Sequence, residues 1–496
     1  MIFGNAHTKS LSDGFFRSAC RVLVLTLCAT LVGCVNYLGI HSHKKMAQPS
    51  QFQTSKGIPK QHGHWPKLDW ANQFGDPQLI ALINEAIACN PDLEIARARI
   101  KQAQALAANK SAALYPQINS RGAIDRVRVA TSADLPFDID NATFTQRAFL
   151  LNLNQDLDIW GKNISFLREA ISQERAAEAA AQEASLSLAT SVASTYNQLA
   201  YYYALRDVLR RTVAQREGLN KISLVRLRTG LDTKTQVYQS RTSTETARTQ
   251  LIATEGQIIT VRQQLGVLLG AGPDRGLAIK PPRLKMIQTP QLPDNLPLNL
   301  LGRRPDIVGA RWKVEASRHG IKGTKARFYP DVNLAAGAAY LAFALSDVTT
   351  TANVRFMGAA FSLPIFDAGA LRAQLRGKYA LYEEAVAEYN STLNRAFGEV
   401  ANQLAAIQSV DKQLRPQNEA LNAAEQAFNL SRVQYRTGLA AQLVVLDAEL
   451  SYLNEQQTHL QLVTSRRNLQ IALIKALGGG FGTPICYKCK NLKQES

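Results

Sequence analysis

Two clusters of chemistry-bearing side chains stand out in this 496-residue sequence, and both lie outside its regular pattern. Cys486 and Cys489, in "CYKC", have the two-residue gap of a metal or redox pair, while His41, His43, His62 and His64 bring four of the seven histidines into one short stretch. A thiol pair becomes reactive where a cation or a helix N-terminus lowers a thiol pKa, and a structural metal site takes four ligands. "CYKC" lies in a polar tail, 481–496, with no second pair and no helix, so an inert tail is expected. The histidines stand among Gln, Ser, Lys and Gly, a linker composition that could catch a metal ion but more simply spaces two segments. His319 and His459 stand alone in helical contexts, and there is no G-x-S-x-G, H-E-x-x-H or phosphate-binding loop. Neither catalysis nor a bound cofactor is expected.

The remaining chemistry is covalent. Arg17 and Arg21 precede the apolar run "VLVLTLCATLVG", too short to cross a bilayer as a helix but suited to a secretory signal. The run ends in Leu31-Val32-Gly33-Cys34, which resembles the cleavage box of bacterial lipoproteins, whose cysteine becomes the lipidated first residue. Residues 1–33 are therefore expected to be removed, with a covalent lipid on Cys34 and a flexible linker from 34 to 64. In such lipoproteins a Val at position 35 favours release to the outer membrane. Acyl chains fasten a protein to a membrane without spanning it. Beyond the signal and Cys34 only Cys89, Cys486 and Cys489 remain, which is no disulfide framework.

The formal net charge is +18, from 57 Lys and Arg against 39 Asp and Glu. The cations are scattered among Gln, Ala and Glu and form no basic run beside stacking aromatics, which argues against nucleic-acid binding. At 46% hydrophobic and only 7% aromatic, the composition suits long Ala-rich helices.

The elements that must position any site come in duplicate. "VRLRTG" at 225–230 returns as "VQYRTG" at 433–438, 208 residues later, as Gly161 returns at Gly369 and Gly270 at Gly478. Upstream the offset is 214: "NPDLEIAR" from Asn90 pairs with "RPDIVGAR" from Arg304, and "LYPQIN" from Leu114 with "FYPDVN" from Phe328. The chain is a tandem duplication in which the second copy lost six residues between Pro330 and Asp367. The expected domains are a first repeat over 65–272, a connector over 273–302 that holds six of the 18 prolines, and a second repeat over 303–480.

Each repeat changes its hydrophobic period. In the first, Phe149, Leu151, Leu153, Leu157 and Ile159 alternate with Asn152, Asn154, Asp156 and Asp158, the two-residue beat of a strand with one apolar face. A run of about 11 residues is what a tilted membrane strand needs. Residues 117–130 are its expected partner, and 331–343 and 354–367 are the expected strands of the second copy.

Long helices follow. From Lys162 to Thr229 only Gly218 interrupts an Ala-, Glu-, Gln- and Leu-rich run, which as one helix is about 100 Å long. In the second copy Leu393, Val400, Ile407, Leu414, Leu421, Phe428 and Tyr435 recur every seven residues, a coiled-coil stripe. Pro416 interrupts it, and a kink rather than a helix end is expected there. Each "RTG" closes its helix with a glycine in the left-handed C-cap position, and returning helices are expected over 232–270 and 440–478. Gly230 and Gly438 thus mark the tips of two helical hairpins.

Four strands cannot close a membrane barrel, and open strand edges in lipid cost several kcal/mol per unpaired group. Identical copies are therefore expected to pool their strands, with the helices forming a tube that continues the shared barrel.

"LLGRRPDI" at 300–307, both "RTGL" tips, the two "YP" pairs, "FDAG" at 366–369, "LLG" and "ALG" resemble the TolC-like outer membrane efflux proteins, specifically their lipoprotein branch, from about Trp65 to Gly480. The resemblance implies a mainly α fold with a membrane β-barrel: a homotrimer with a shared twelve-stranded barrel and a coiled-coil tunnel of twelve helices. It implies the exit duct of a tripartite efflux system in the outer membrane of a Gram-negative bacterium, docked to a periplasmic adaptor and an inner-membrane, proton-driven pump. By the same resemblance Gly230, Leu231, Gly438 and Leu439 meet the adaptor. Asp447 contributes to a carboxylate ring that narrows the periplasmic mouth, Leu443 to an apolar ring one turn earlier, and Tyr435 to the network that holds the mouth closed. Val444 and Ala440 stand where some members carry a second Asp and an Arg, so the closure here is expected to be built differently. The alternatives are an adaptor-like coiled-coil lipoprotein, which would carry one hairpin rather than two, and the exit duct of a type I protein secretion system.

Overall fold

A computed structural model describes residues 36–48, 51–52, 65–128, 143–286, 302–345 and 348–480. The signal, Cys34, His62, His64, most of the connector and the "CYKC" tail lie outside the described residues. In chain order the elements are α1 (Pro77–Cys89), α2 (Pro91–Ala112), β1 (Gln117–Arg128), β2 (Thr143–Leu157), α3 (Lys162–Arg228), α4 (Lys234–Leu268) and a short α5 (Pro273–Leu277). The second repeat follows with α6 (Pro305–Ala326), β3 (Asp331–Leu345), β4 (Val348–Ser362), α7 (Ala370–Arg436) and α8 (Gln442–Ala476). The duplication is quantitative: α3 and α7 have 67 residues each, and α4 and α8 have 35 each. No described helix is long and apolar enough to cross a membrane.

The chain forms two compact units, each drawing on both repeats. Among the described residues, one draws on 36–45, 102–175 and 312–387, the other on 46–101, 176–311 and 388–480.

Among the described residues the first unit holds four strands, in one antiparallel sheet of order β1-β2-β3-β4. Its central pairing joins the repeats, with Phe149 opposite Tyr340 and Asn154 opposite Ala335. The outer pairings run from Gln117↔Asn154 on one side and from Asp331↔Ser362 on the other. Among the described residues β1 and β4 therefore each pair along one edge only. Ile118, Ile124, Phe149, Met357 and Phe361 are exposed, Met357 by 89%.

Strand bounds differ from expectation most at β4, which starts at Val348 and ends at Ser362 rather than covering 354–367. Its early start follows from pairing that sets Val348 opposite Leu345, with the β-branched Thr349, Thr350 and Thr351 extended. Pro364 lacks the N–H a ladder requires, so the strand stops before it. β2 likewise begins earlier than its alternation, at Thr143, where it pairs with Arg128.

The expected loose linker also differs. Within 36–45 the chain is laid against the strand unit: Tyr37 packs with Ile40 beside Ile321, Phe328 and Leu375, and its hydroxyl lies 3.0 Å from that of Tyr329. Ser42 Oγ donates to Glu383 Oε1 at 2.7 Å.

The second unit contains the tip-side part of both hairpins, with α3 from Ala176 and α7 from Glu388. Its main core joins Trp70, Phe74, Leu79 and Leu82 to Tyr196, Leu199, Leu265 and Ile474. Of the heptad stripe on α7, Leu393, Val400, Ile407, Phe428 and Tyr435 are buried and Leu414 and Leu421 half-buried. α7 passes through Pro416 unbroken. Pro416 is exposed, so the missing donor falls on the solvent side, where the loss is smallest.

Candidate functional site

The two glycines at the tips do what their position requires. Gly230 and Gly438 have φ of +76° and +80°, a conformation that costs other residues about 1 kcal/mol or more. Leu231 N donates to Arg226 O at 2.8 Å and Gly230 N to Leu227 O at 3.2 Å; the same pair of bonds joins Leu439 to Gln434 and Gly438 to Tyr435. This is the Schellman closure, which satisfies the last carbonyls of each long helix. Leu231 and Leu439 consequently point into solvent, 66% and 82% exposed.

The returns are not equivalent. α4 starts on Thr233, which forms a reciprocal capping box with Gln236. α8 starts on Ala441, whose side chain offers no cap.

Behind the tips the repeats are tied together. Tyr435, at the end of α7, is buried with Leu219, Phe428 and Val445. Its hydroxyl donates to Asp232 Oδ2 at 3.2 Å and lies 3.4 Å from Ser223 Oγ. Arg226 Nε donates to the same Asp232 oxygen at 3.1 Å, and its guanidinium sits 4.9 Å from the Tyr435 ring centroid. Burial raises the Tyr435 pKa, the Asp232 charge adds to the rise, and the Ser223 bond opposes it. The phenol therefore stays protonated and remains a donor. Sequence reasoning found Tyr435 but missed Arg226, Asp232 and Ser223. The only signal was a basic and an acidic residue flanking "LRTGL".

α8 shows two faces. Gln442, Val445, Glu449 and Leu453 are buried, at helical spacings of three and four that define one stripe. Leu443, Asp447 and Leu450 form another and are exposed, Leu443 by 59%. The fold thus brings Tyr435 and the tips together at one end of the hairpin unit but leaves Leu443 and Asp447 exposed, facing away from the packed stripe. Cys34 lies outside the described residues. His41 and His43 meet with their Nε2 atoms 3.1 Å apart, but among the described residues no three His, Cys, Asp or Glu side chains are grouped to hold a metal ion.

Comparison with known proteins gives a consistent picture. The family model described as "Outer membrane efflux protein" matches residues 82–271 and 296–479, two segments that track the duplication. The "Multidrug resistance outer membrane protein MdtP" of Escherichia coli strain K12 is 30% identical over 473 residues, 93% of this chain and 96% of that protein. The "Fusaric acid resistance protein FusA" of Burkholderia cepacia is 36% identical over 315 residues, 63% of this chain and 59% of that one. Among solved structures, the outer membrane protein VceC of Vibrio cholerae is similar with a TM-score of 0.77 and 33% identity, covering 84% of this chain and all of that one.

Proposed function

This chain belongs to the outer membrane efflux protein family, and from that membership we propose that it is the outer membrane exit duct of a tripartite efflux system that expels small toxic compounds. Three copies pool four strands each into one membrane barrel, and their hairpins line a tunnel. The observation that carries this reading is the four-stranded sheet with two open edges and exposed apolar side chains. Unpaired strand edges are not tolerated in lipid, and β4 of one copy meeting β1 of the next removes them all at once.

The hairpin unit supports the remaining roles. Leu231 and Leu439 offer apolar contacts at the tips for a periplasmic adaptor, which links the duct to an inner-membrane, proton-driven pump. The exposed Leu443 and Asp447 face the axis, so that three copies place an apolar ring and a carboxylate ring across the periplasmic mouth. Like charges near one axis repel, and the Tyr435–Asp232–Arg226 cluster holds them together at rest. A lipid on Cys34 anchors each copy to the outer membrane.

The relatives named for multidrug and fusaric acid resistance favour small molecules over secreted polypeptides as cargo. Deleting the gene and challenging the strain with a broad panel of antimicrobials and metals tests the reading. Increased sensitivity, restored by the intact gene, is expected. Unchanged tolerance to every compound, with the partner pump expressed, contradicts it.

A further inference from the structure

Deeper than the tip cluster, a second cross-repeat contact sits on the packed stripe of α8. Glu449 is fully buried, with 0% of its surface exposed. Its Oε2 accepts from Arg216 Nε of α3 at 2.9 Å, and Arg216 Nη1 donates to the Ser243 carbonyl of α4 at 2.7 Å. One guanidinium therefore ties together both helices of the first hairpin and the returning helix of the second. Asp447 lies two residues from Glu449 on the same helix, so the rotation and position of Asp447 follow from where Glu449 is held.

Gln442 is buried on the same stripe, and among the described residues neither its amide atoms nor Glu449 Oε1 has a hydrogen-bond partner. α8 also lacks the N-cap that α4 has in Thr233. Burial raises the Glu449 pKa in spite of the opposing pull of Arg216 and Arg432. The ion pair thus fixes the register of α8 on the first hairpin.

We propose that Arg216 and Glu449 are a positioning pair that seats α8 on the first hairpin and so sets the resting aperture, acting through Asp447 and Leu443 rather than touching cargo. This rests on the duct reading above. A buried pair is weakened by loss of one partner, which strands a charge, whereas replacement of both by apolar residues leaves packing intact or improved. That asymmetry separates a positioning pair from an incidental contact.

The test is single-channel conductance of the full-length lipidated protein in planar bilayers, comparing wild type, Arg216→Met, Glu449→Leu, the double variant Arg216→Met/Glu449→Leu, and Tyr435→Phe as a control for the tip cluster. Each single change is expected to raise conductance by about threefold or more, and the double variant to return it to the wild-type level or below. Glu449→Gln, which keeps the shape and one hydrogen bond, serves if Glu449→Leu does not assemble, and is expected to give an intermediate rise. The pair is overturned if Tyr435→Phe opens the channel while the Arg216 and Glu449 singles conduct like wild type, or if the double variant is as open as the singles. If no protein conducts, wild type and control included, the duct reading itself fails and the pair falls with it.

Discussion

Tyr435 of the second repeat donates to Asp232 of the first, 203 residues away in sequence, across 3.2 Å. The bond joins the end of α7 to the loop that leads into α4, so the two hairpins cannot separate at their tips without breaking it. Asp232 is also the partner of Arg226, which makes it the hub of the cluster.

Removing the hydroxyl in Tyr435→Phe deletes its hydrogen bond to Asp232 and the longer one shared with Ser223, together worth about 1–2 kcal/mol. Asp232→Asn weakens two contacts and leaves Arg226 without a counter-ion, so it should open the mouth further. Planar-bilayer recordings should rank conductance as wild type, then Tyr435→Phe, then Asp232→Asn. Identical conductance in all three would remove the cluster from gating.

Asp447 should govern ion preference. In the proposed trimer three exposed carboxylates would stand around one axis, where they attract cations and exclude anions, so Asp447→Asn is expected to lower the cation-to-anion permeability ratio by about threefold or more, read from reversal potentials across a salt gradient. Leu443→Ala, which changes width rather than charge, should raise conductance with the ratio unchanged.

Arg304 gives "RRPDI" at the head of the second repeat a structural role. Its side chain is 8% exposed and grips Asp306 through both oxygens, at 3.0 and 2.7 Å, while Nη1 reaches Glu399 Oε2 at 2.8 Å and the Ala476 carbonyl at 3.1 Å. Arg304→Met removes a buried guanidinium and leaves the part-buried Asp306 carboxylate with Ile307 N as its remaining partner, and should cost about 3 kcal/mol. Thermal denaturation should show a large loss, while Arg303→Met, whose guanidinium stacks over Trp65 at 5.0 Å, should show a small one.

His319 gives a pH dependence. Burial holds its pKa below the ordinary histidine value, Lys322, Arg168 and Arg318 push the same way, and Glu315 opposes them. The folded state thus resists protonation more than the unfolded chain. Its contribution is complete above the ordinary pKa of about 6.5 and is lost as pH falls through the lower folded value. The stability difference between wild type and His319→Gln should therefore shift against wild type on acidification from about pH 7.5 to pH 5. Calorimetry showing a constant difference would remove His319 as the source.

Much of this was legible in the residues. The 208-residue offset between the two "RTG" motifs announced the paired hairpins, and Gly230 and Gly438 closed their helices where their types require. The alternation around Phe149 marked β2 because one apolar face repeats every second residue. What escaped was set by partners distant in sequence. Thr349–Thr351 read as a loop because they lack an apolar beat, yet pairing with β3 extends them. Glu449 looks like any helix-surface charge until α3 arrives with Arg216, a contact that no local pattern encodes. Tyr37 looked like part of a linker because the cluster of Ile321, Phe328 and Leu375 that receives it lies far down the chain.

The shared barrel is tested most directly by native mass spectrometry of the mature protein extracted in mild detergent. A mass of three lipidated chains is expected, and it should fall to that of a single chain when charged residues on the outer edges of β1 and β4 block strand pairing between copies. A stable, compact single chain from the unaltered protein contradicts strand pooling and, with it, the duct.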